Sequence, residues 1–205
     1  MRIAERIGLK PEADTFNPVI VDFYRDVGYL PWAINNYLTL LGWSLDDRTE
    51  FFSRKQLIAN FSLERVNSSA AGFAPKKLWA VQDHYMQLLS TPEKTELMLP
   101  FLVQAGLVSE PVPDETRQTV AAVIEVSGDR LKVAGDILTY ADFFLVDEPT
   151  LDEAAVAKRL AKPETRPLLE AFIERLAAAD PYTAESLEAA LKEVVEAAGK
   201  KVGDL

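Results

Sequence analysis

Gly28-Tyr29-Leu30-Pro31-Trp32-Ala33-Ile34-Asn35-Asn36-Tyr37-Leu38-Thr39-Leu40-Leu41-Gly42-Trp43-Ser44 reads as one short helix with a turn at each end. Gly28 permits a tight turn, and Pro31 suits the first helical turn, where its missing N–H has no intrahelical partner to lose. Ala33, Ile34, Tyr37, Leu38 and Leu41 recur at helical spacing, and Gly42 fits the left-handed position just past a helix end. Periodicity alone makes this a buried core helix.

The same pattern extends in both directions. Upstream, Ile3, Ala4 and Ile7 share a helical phase that Gly8 stops, and Asn17 is placed to cap a helix opened by Pro18. Downstream, Ser53 is expected to cap a helix that turns Leu57, Ile58 and Phe61 toward the core. A small-residue loop, Asn67-Ser68-Ser69-Ala70-Ala71-Gly72, separates it from the next pattern. Pro75 opens a helix bearing Leu78, Trp79, Val81, Tyr85 and Leu88. Thr91-Pro92-Glu93 opens another, with Leu97, Met98, Phe101 and Leu102, closed by Gly106. Asp114 suits a cap before Val120, Val123 and Ile124, and the stripe continues through Ile137, Leu138, Ala141 and Phe144. A short helix is expected from Thr150, a longer one over 164–178 and an amphipathic one over 183–198, with Leu187, Ala190, Leu191 and Val194 on one face and Gly199 as its stop. Alternating strand patterns are scarce, so the fold class is all-α, a bundle or superhelical arrangement of short helices.

The chain has 205 residues, 48% apolar and 26% charged, enough for one or two domains with a real core. Cysteine is absent and His84 is the single histidine, which excludes disulfides and cysteine-bound zinc and argues against any metal site. Neither a membrane-spanning apolar run nor a signal peptide is visible, so the expected location is the cytoplasm. A net charge of −10 argues against coating nucleic acid through the overall field. Its distribution is uneven: +1 over residues 1–80, −7 over 81–147 and −4 over 148–205. Contact with phosphate is therefore expected in the first stretch, where Arg54, Lys55, Arg65, Lys76 and Lys77 lie. The chain shows no Gly-rich phosphate loop, His-Glu-x-x-His, Gly-x-Ser-x-Gly or cysteine nucleophile. Acid pairs such as Asp46-Asp47 read as turns, and no catalytic residue is nominated. His84, among Trp79, Val81 and Tyr85, reads as a partly exposed structural histidine.

Three ordered blocks carry a resemblance: Gly28 to Ser44; Phe52-Ser53 with Phe61-Ser62-Leu63-Glu64-Arg65-Val66-Asn67; and Phe73-Ala74-Pro75-Lys76-Lys77-Leu78-Trp79. Together they resemble the segment of bacterial glutamyl-tRNA synthetases, class I enzymes, that follows the second catalytic signature. The similarity is dense from Asp22 to Leu107 and thinner afterwards, and Gly199-Lys200-Lys201-Val202-Gly203 resembles the family's penultimate segment. The resemblance implies a stem-contact-like helical region at 1–73 and an anticodon-binding helical region at 74–205, divisible near 145–163. It implies tRNA(Glu) as partner, with no DNA and no membrane. Neither the His-Ile-Gly-His-like nor the Lys-Met-Ser-Lys-like motif of the catalytic domain occurs here. ATP would accordingly bind a catalytic domain elsewhere in a parent chain; no cofactor is expected in this one, and no aminoacylation by it alone.

Some positions depart from the family pattern. Relatives carry Phe-Asp where this chain has Phe73-Ala74, and an arginine four residues before a leucine in the helix brought to the anticodon; if Leu131 is that leucine, Ser127 stands at the arginine's place. Arg130 and Lys132 are then the candidate anticodon-loop contacts, and Arg65, Lys76 and Lys77 the candidate phosphate contacts. The acidic middle and Ser127 keep a second reading open, a helical protein-interaction module derived from the same domain.

Overall fold

The computed structural model describes residues 21–67, 71–146, 148–149, 151–200 and 202. The expected helix over 1–9, the Asn17–Pro18 cap, the start at Thr150, loop residues 68–70, and Lys201 and Gly203 lie outside the described residues.

Eleven α-helices follow one another and no strand occurs among the described residues: α1 Val21–Val27, α2 Pro31–Leu40, α3 Arg54–Asn60, α4 Pro75–Leu88, α5 Thr91–Gln104, α6 Asp114–Ser127, α7 Ile137–Tyr140, α8 Asp142–Leu145, α9 Glu153–Ala155, α10 Thr165–Ala177 and α11 Ala184–Ala197. The all-α expectation holds. Two compact units divide the chain, 1–147 and 148–205. The first contains both sides of the 73/74 position, because α2 packs against α4 across it.

Most ends are set by local chemistry. Pro31 and Pro75 stand at the first turns of α2 and α4. Ser53 and Gln56 form a reciprocal cap on α3: the Gln56 N–H donates to Ser53 Oγ at 3.2 Å and the Ser53 N–H to Gln56 Oε1 at 2.8 Å. Glu93 accepts the Ser90 N–H at 2.8 Å before α5, and Thr183 caps α11. Gly106, Gly128 and Gly199 end α5, α6 and α11 with positive φ.

Two helix-end details differ from the sequence reading. Pro113, not Asp114, occupies the cap position of α6. Gly42 does not have a positive φ; α2 already ends at Leu41 in right-handed geometry, with the Trp43 N–H returning to Thr39 O at 3.0 Å. Gly28 is the left-handed residue, at φ +94°.

The first unit has two apolar clusters. Met86, Met98, Leu102, Val120, Ile124, Leu131, Ile137 and Leu138 join α4 through α7. Tyr24, Ala33, Tyr37, Leu78 and Val81 join α1, α2 and α4. Leu30 packs against both. Beside it, the fully buried Gln82 accepts the Leu30 N–H at 2.8 Å and donates to Lys132 O at 2.7 Å, bonding two distant loops to α4. The second unit pairs α10 with α11, burying Thr165, Leu168, Val194 and Val195.

Helix α3 breaks the expectation of a core helix. It has no buried residue: Ile58 is 73% exposed and Phe61 44%. Leu57, Ile58 and Phe61 face Trp32, Leu38 and Thr39 of α2 across an open groove.

Candidate nucleic-acid interface

The five sequence-nominated cations fall into two groups, both tied to α4. Lys76 and Lys77 stand in its first turn. No side chain caps this helix at Ala74; the Ala74 N–H donates instead to the Tyr37 hydroxyl at 2.6 Å, which fixes the start of α4 on α2. Lys77 Nζ pairs with Glu50 Oε1 at 2.6 Å, whereas Lys76 is exposed and forms no ion pair among the described residues. Glu50 belongs to a loop clamped by the fully buried Asn36, whose amide donates to Glu50 O at 2.7 Å and accepts the Phe52 N–H at 2.9 Å. Arg65 holds the other end of this loop, donating from Nη2 to Leu45 O at 2.7 Å. Next to it, the Asp46 carboxyl is held below the usual carboxylate range, first by the Arg48 and Thr49 N–H groups and the Thr49 hydroxyl, with Arg65 adding a smaller attraction.

Arg130 and Lys132 form the second group. Ser127 is buried at the end of α6, Gly128 turns the chain at φ +56°, and residues 128–130 make one 3₁₀ turn. Arg130 projects from this turn, exposed and without an ion pair among the described residues. Directly after it the chain is anchored: Leu131 is fully buried, and the Lys132 N–H donates to Asp136 Oδ2 at 2.8 Å. Lys132 Nζ pairs with Asp83 Oδ2 of α4 at 2.6 Å. Burial pushes the Asp83 carboxyl upward, but the hydrogen bonds from Lys132 and Gln87 and the lysine charge outweigh it and leave Asp83 below its ordinary value. Asp83 in turn raises Lys132. Of the five, Lys76 and Arg130 are therefore unengaged among the described residues; Arg65, Lys77 and Lys132 already have partners within the chain.

Beyond these five, the fold assembles an aromatic and cationic cleft of ≈ 500 Å³ from Pro31, Trp32, Asn35, Ser53, Arg54 and Tyr85. The Trp32 Nε1–H donates to Phe52 O at 2.8 Å. The Tyr85 hydroxyl accepts the Phe52 N–H at 2.9 Å and lies 2.8 Å from Asn36 Oδ1. Beside the cleft, the half-buried His84 stacks on Phe51 with ring centroids 3.7 Å apart. Past Trp32 and Asn35 the surface continues into the apolar groove of α3. Among the described residues no group of three or more His, Asp or Glu side chains is arranged to hold a metal ion.

Comparison with known proteins places these residues in a family. The family model for the anticodon binding domain matches residues 93–205, more than half of the chain. A glutamate–tRNA ligase from Moorella thermoacetica is 37% identical over 185 residues, covering 90% of this chain and 38% of that protein. The chain belongs to the glutamyl-tRNA synthetase family. Another glutamate–tRNA ligase, from Geobacter sulfurreducens, is 38% identical over 182 residues, 89% of this chain and 38% of its own. Among solved structures, glutamate tRNA ligase from Elizabethkingia meningosepticum matches 99% of this chain and 40% of its own, with a TM-score of 0.73 at 27% identity. This chain thus spans about 38% of the length of its synthetase relatives. A second family model, the catalytic domain of class I tRNA synthetases for E and Q, matches residues 15–80. Arg65, Lys76, Lys77 and the cleft residues Pro31, Trp32, Asn35, Ser53 and Arg54 fall in that synthetase match, Arg130 and Lys132 in the anticodon-binding one, and Tyr85 of the cleft between the two. The 15–80 match extends the catalytic-domain family into the stretch expected to be stem-contact-like.

Proposed function

We propose that this chain is the tRNA-binding portion of a glutamyl-tRNA synthetase, gripping tRNA(Glu) in the cytoplasm as part of protein biosynthesis. The catalytic signatures and the ATP site then belong to the parent enzyme outside this chain, and the chain alone does not aminoacylate. One observation carries the reading: an anticodon-binding match over residues 93–205 in which the exposed Arg130 projects from an anchored turn with no ion pair among the described residues. In an acidic chain, recognition rests on local cations and base edges rather than on overall attraction. Arg130 and Lys76 serve as the primary contacts; Arg65, Lys77 and Lys132 add to them by exchanging or sharing their present partners.

Fluorescence anisotropy with tRNA(Glu) and with bulk tRNA, at two salt concentrations, tests this. The expected result is salt-sensitive binding that prefers tRNA(Glu). Arg130→Ala should weaken it and reduce the salt slope by roughly 0.7–0.9 logarithmic units. Absence of binding at low salt overturns the reading. It would favour a protein-docking module, a role that the exposed apolar residues of α3 and the acidic stretch 81–147 support.

A further inference from the structure

We infer that the cleft between α2 and α3 is a second RNA subsite, which takes one unstacked nucleotide from the tRNA body rather than from the anticodon. The inference rests on the tRNA-binding reading above but concerns different residues. Its volume of ≈ 500 Å³ falls within the roughly 300–1,000 Å³ of ligand clefts. Three features in it match the chemistry of single-stranded RNA.

The first is a plane. Trp32 is half-buried and pinned by its Nε1–H on Phe52 O, so its edge is occupied while its ring lines the cleft. A fixed indole is a stacking platform for any base. The second is an unused amide: the exposed Asn35 side chain has no hydrogen-bond partner among the described residues, although its backbone carbonyl accepts from Thr39. Such an amide offers both donors and acceptor to a base edge. The third is charge. Arg54 and Lys55 begin α3, whose first turn contains no acid, and neither has an ion pair among the described residues. Helix geometry favours acids there, so helix stability does not explain these two cations. Among the described residues the lining contains no carboxylate. Arg54, with its planar fork, is placed to pair a phosphate oxygen while the attached base lies on Trp32.

The test uses the 205-residue chain, tRNA(Glu), and an isolated anticodon stem-loop of the same sequence, with circular dichroism to verify that each variant is folded. Arg54→Gln should weaken tRNA(Glu) binding roughly threefold to tenfold and flatten the salt slope by just under one logarithmic unit. Arg54→Lys should keep the slope and lose part of the affinity. Asn35→Ala should weaken tRNA(Glu) binding with the slope unchanged. Binding to the stem-loop should be the same for all of them. An Arg54→Gln variant that binds tRNA(Glu) as the wild type does, or that loses equally on both RNAs, overturns the subsite, while Arg130→Ala still reports separately on the tRNA reading. A wild-type chain that binds neither RNA overturns both.

Discussion

Asp83 shows how much one residue's setting matters here. Its carboxylate faces Lys132 at 2.6 Å and accepts from Gln87 at 3.1 Å, on a side chain about one-third exposed. The net effect holds its pKa below the ordinary 3.8, so the fold favours the ionised form. Stability from this pair is therefore present above pH 3.8 and lost as the pH falls through the lower folded value. Solvent screening limits it to about 0.5–1 kcal/mol. Chemical denaturation of Asp83→Asn beside the wild type should show that deficit at pH 6 and a closing gap below pH 3.8. A constant gap across that range would mean that the charge of Asp83 does not contribute. Two other residues, Asn36 and Gln82, sit in the apolar phase of their helices, beside Ala33 and Tyr37 and beside Leu78 and Val81. A polar amide in such a phase is the sequence signal that marks a buried clamp, and the pattern of apolar residues alone passes over it. What each amide would hold was not legible, because Gln82 and, apart from the Tyr85 hydroxyl, Asn36 bond backbone groups of distant loops, which carry no side-chain signature.

At the scale of elements, local rules located most helix ends, since a cap depends on residues within about one turn of it. Helix α4 is the exception that can be improved. Its cap position is Ala74, in extended geometry at φ −113° and ψ 98°, with no side-chain acceptor for the first-turn N–H groups. Aspartate there has the backbone it needs and places a negative charge at the positive end of the helix. Ala74→Asp should add about 1 kcal/mol and raise Tm by roughly 2–4 °C in a thermal scan. An unchanged or lower Tm would show that an aspartate at 74 does not reach the first-turn N–H groups. Helix α3 teaches the opposite lesson. Its apolar spacing is that of a core helix, yet Ile58 and Phe61 stay exposed because no described element packs over them. Periodicity reports that a helix has an apolar face; it does not report whether the fold covers it.

Across the first unit, Gly28 is where the two clusters meet. Its carbonyl accepts the Ala134 N–H at 2.9 Å, and a Cβ built on it would lie 2.7 Å from Ala134 Cβ and 2.8 Å from two backbone nitrogens. Its φ of +94° adds backbone strain for any other residue. Gly28→Ala should cost roughly 2–4 kcal/mol, combining overpacking with strain. The matching fall in Tm is roughly 4–15 °C; a shift under 2 °C would show that the 134–136 turn moves aside freely. The sequence marked Gly28 as a turn residue but gave no sign of Ala134 across from it. By itself, the sequence determined the helical class, most of the caps, the acidic balance with its less acidic first stretch, and the family resemblance, because each depends on residue identity or on spacing within a few positions. Only the tertiary structure decided which cations are engaged and which are available. Lys77 meets Glu50 from 27 residues away and Lys132 meets Asp83 from 49. It also decided that Trp32, Asn35 and Arg54 share one cleft. Those relations come from how α2, α4 and the loops beside them come together, and packing is set by the summed fit of many side chains, which no local stretch encodes.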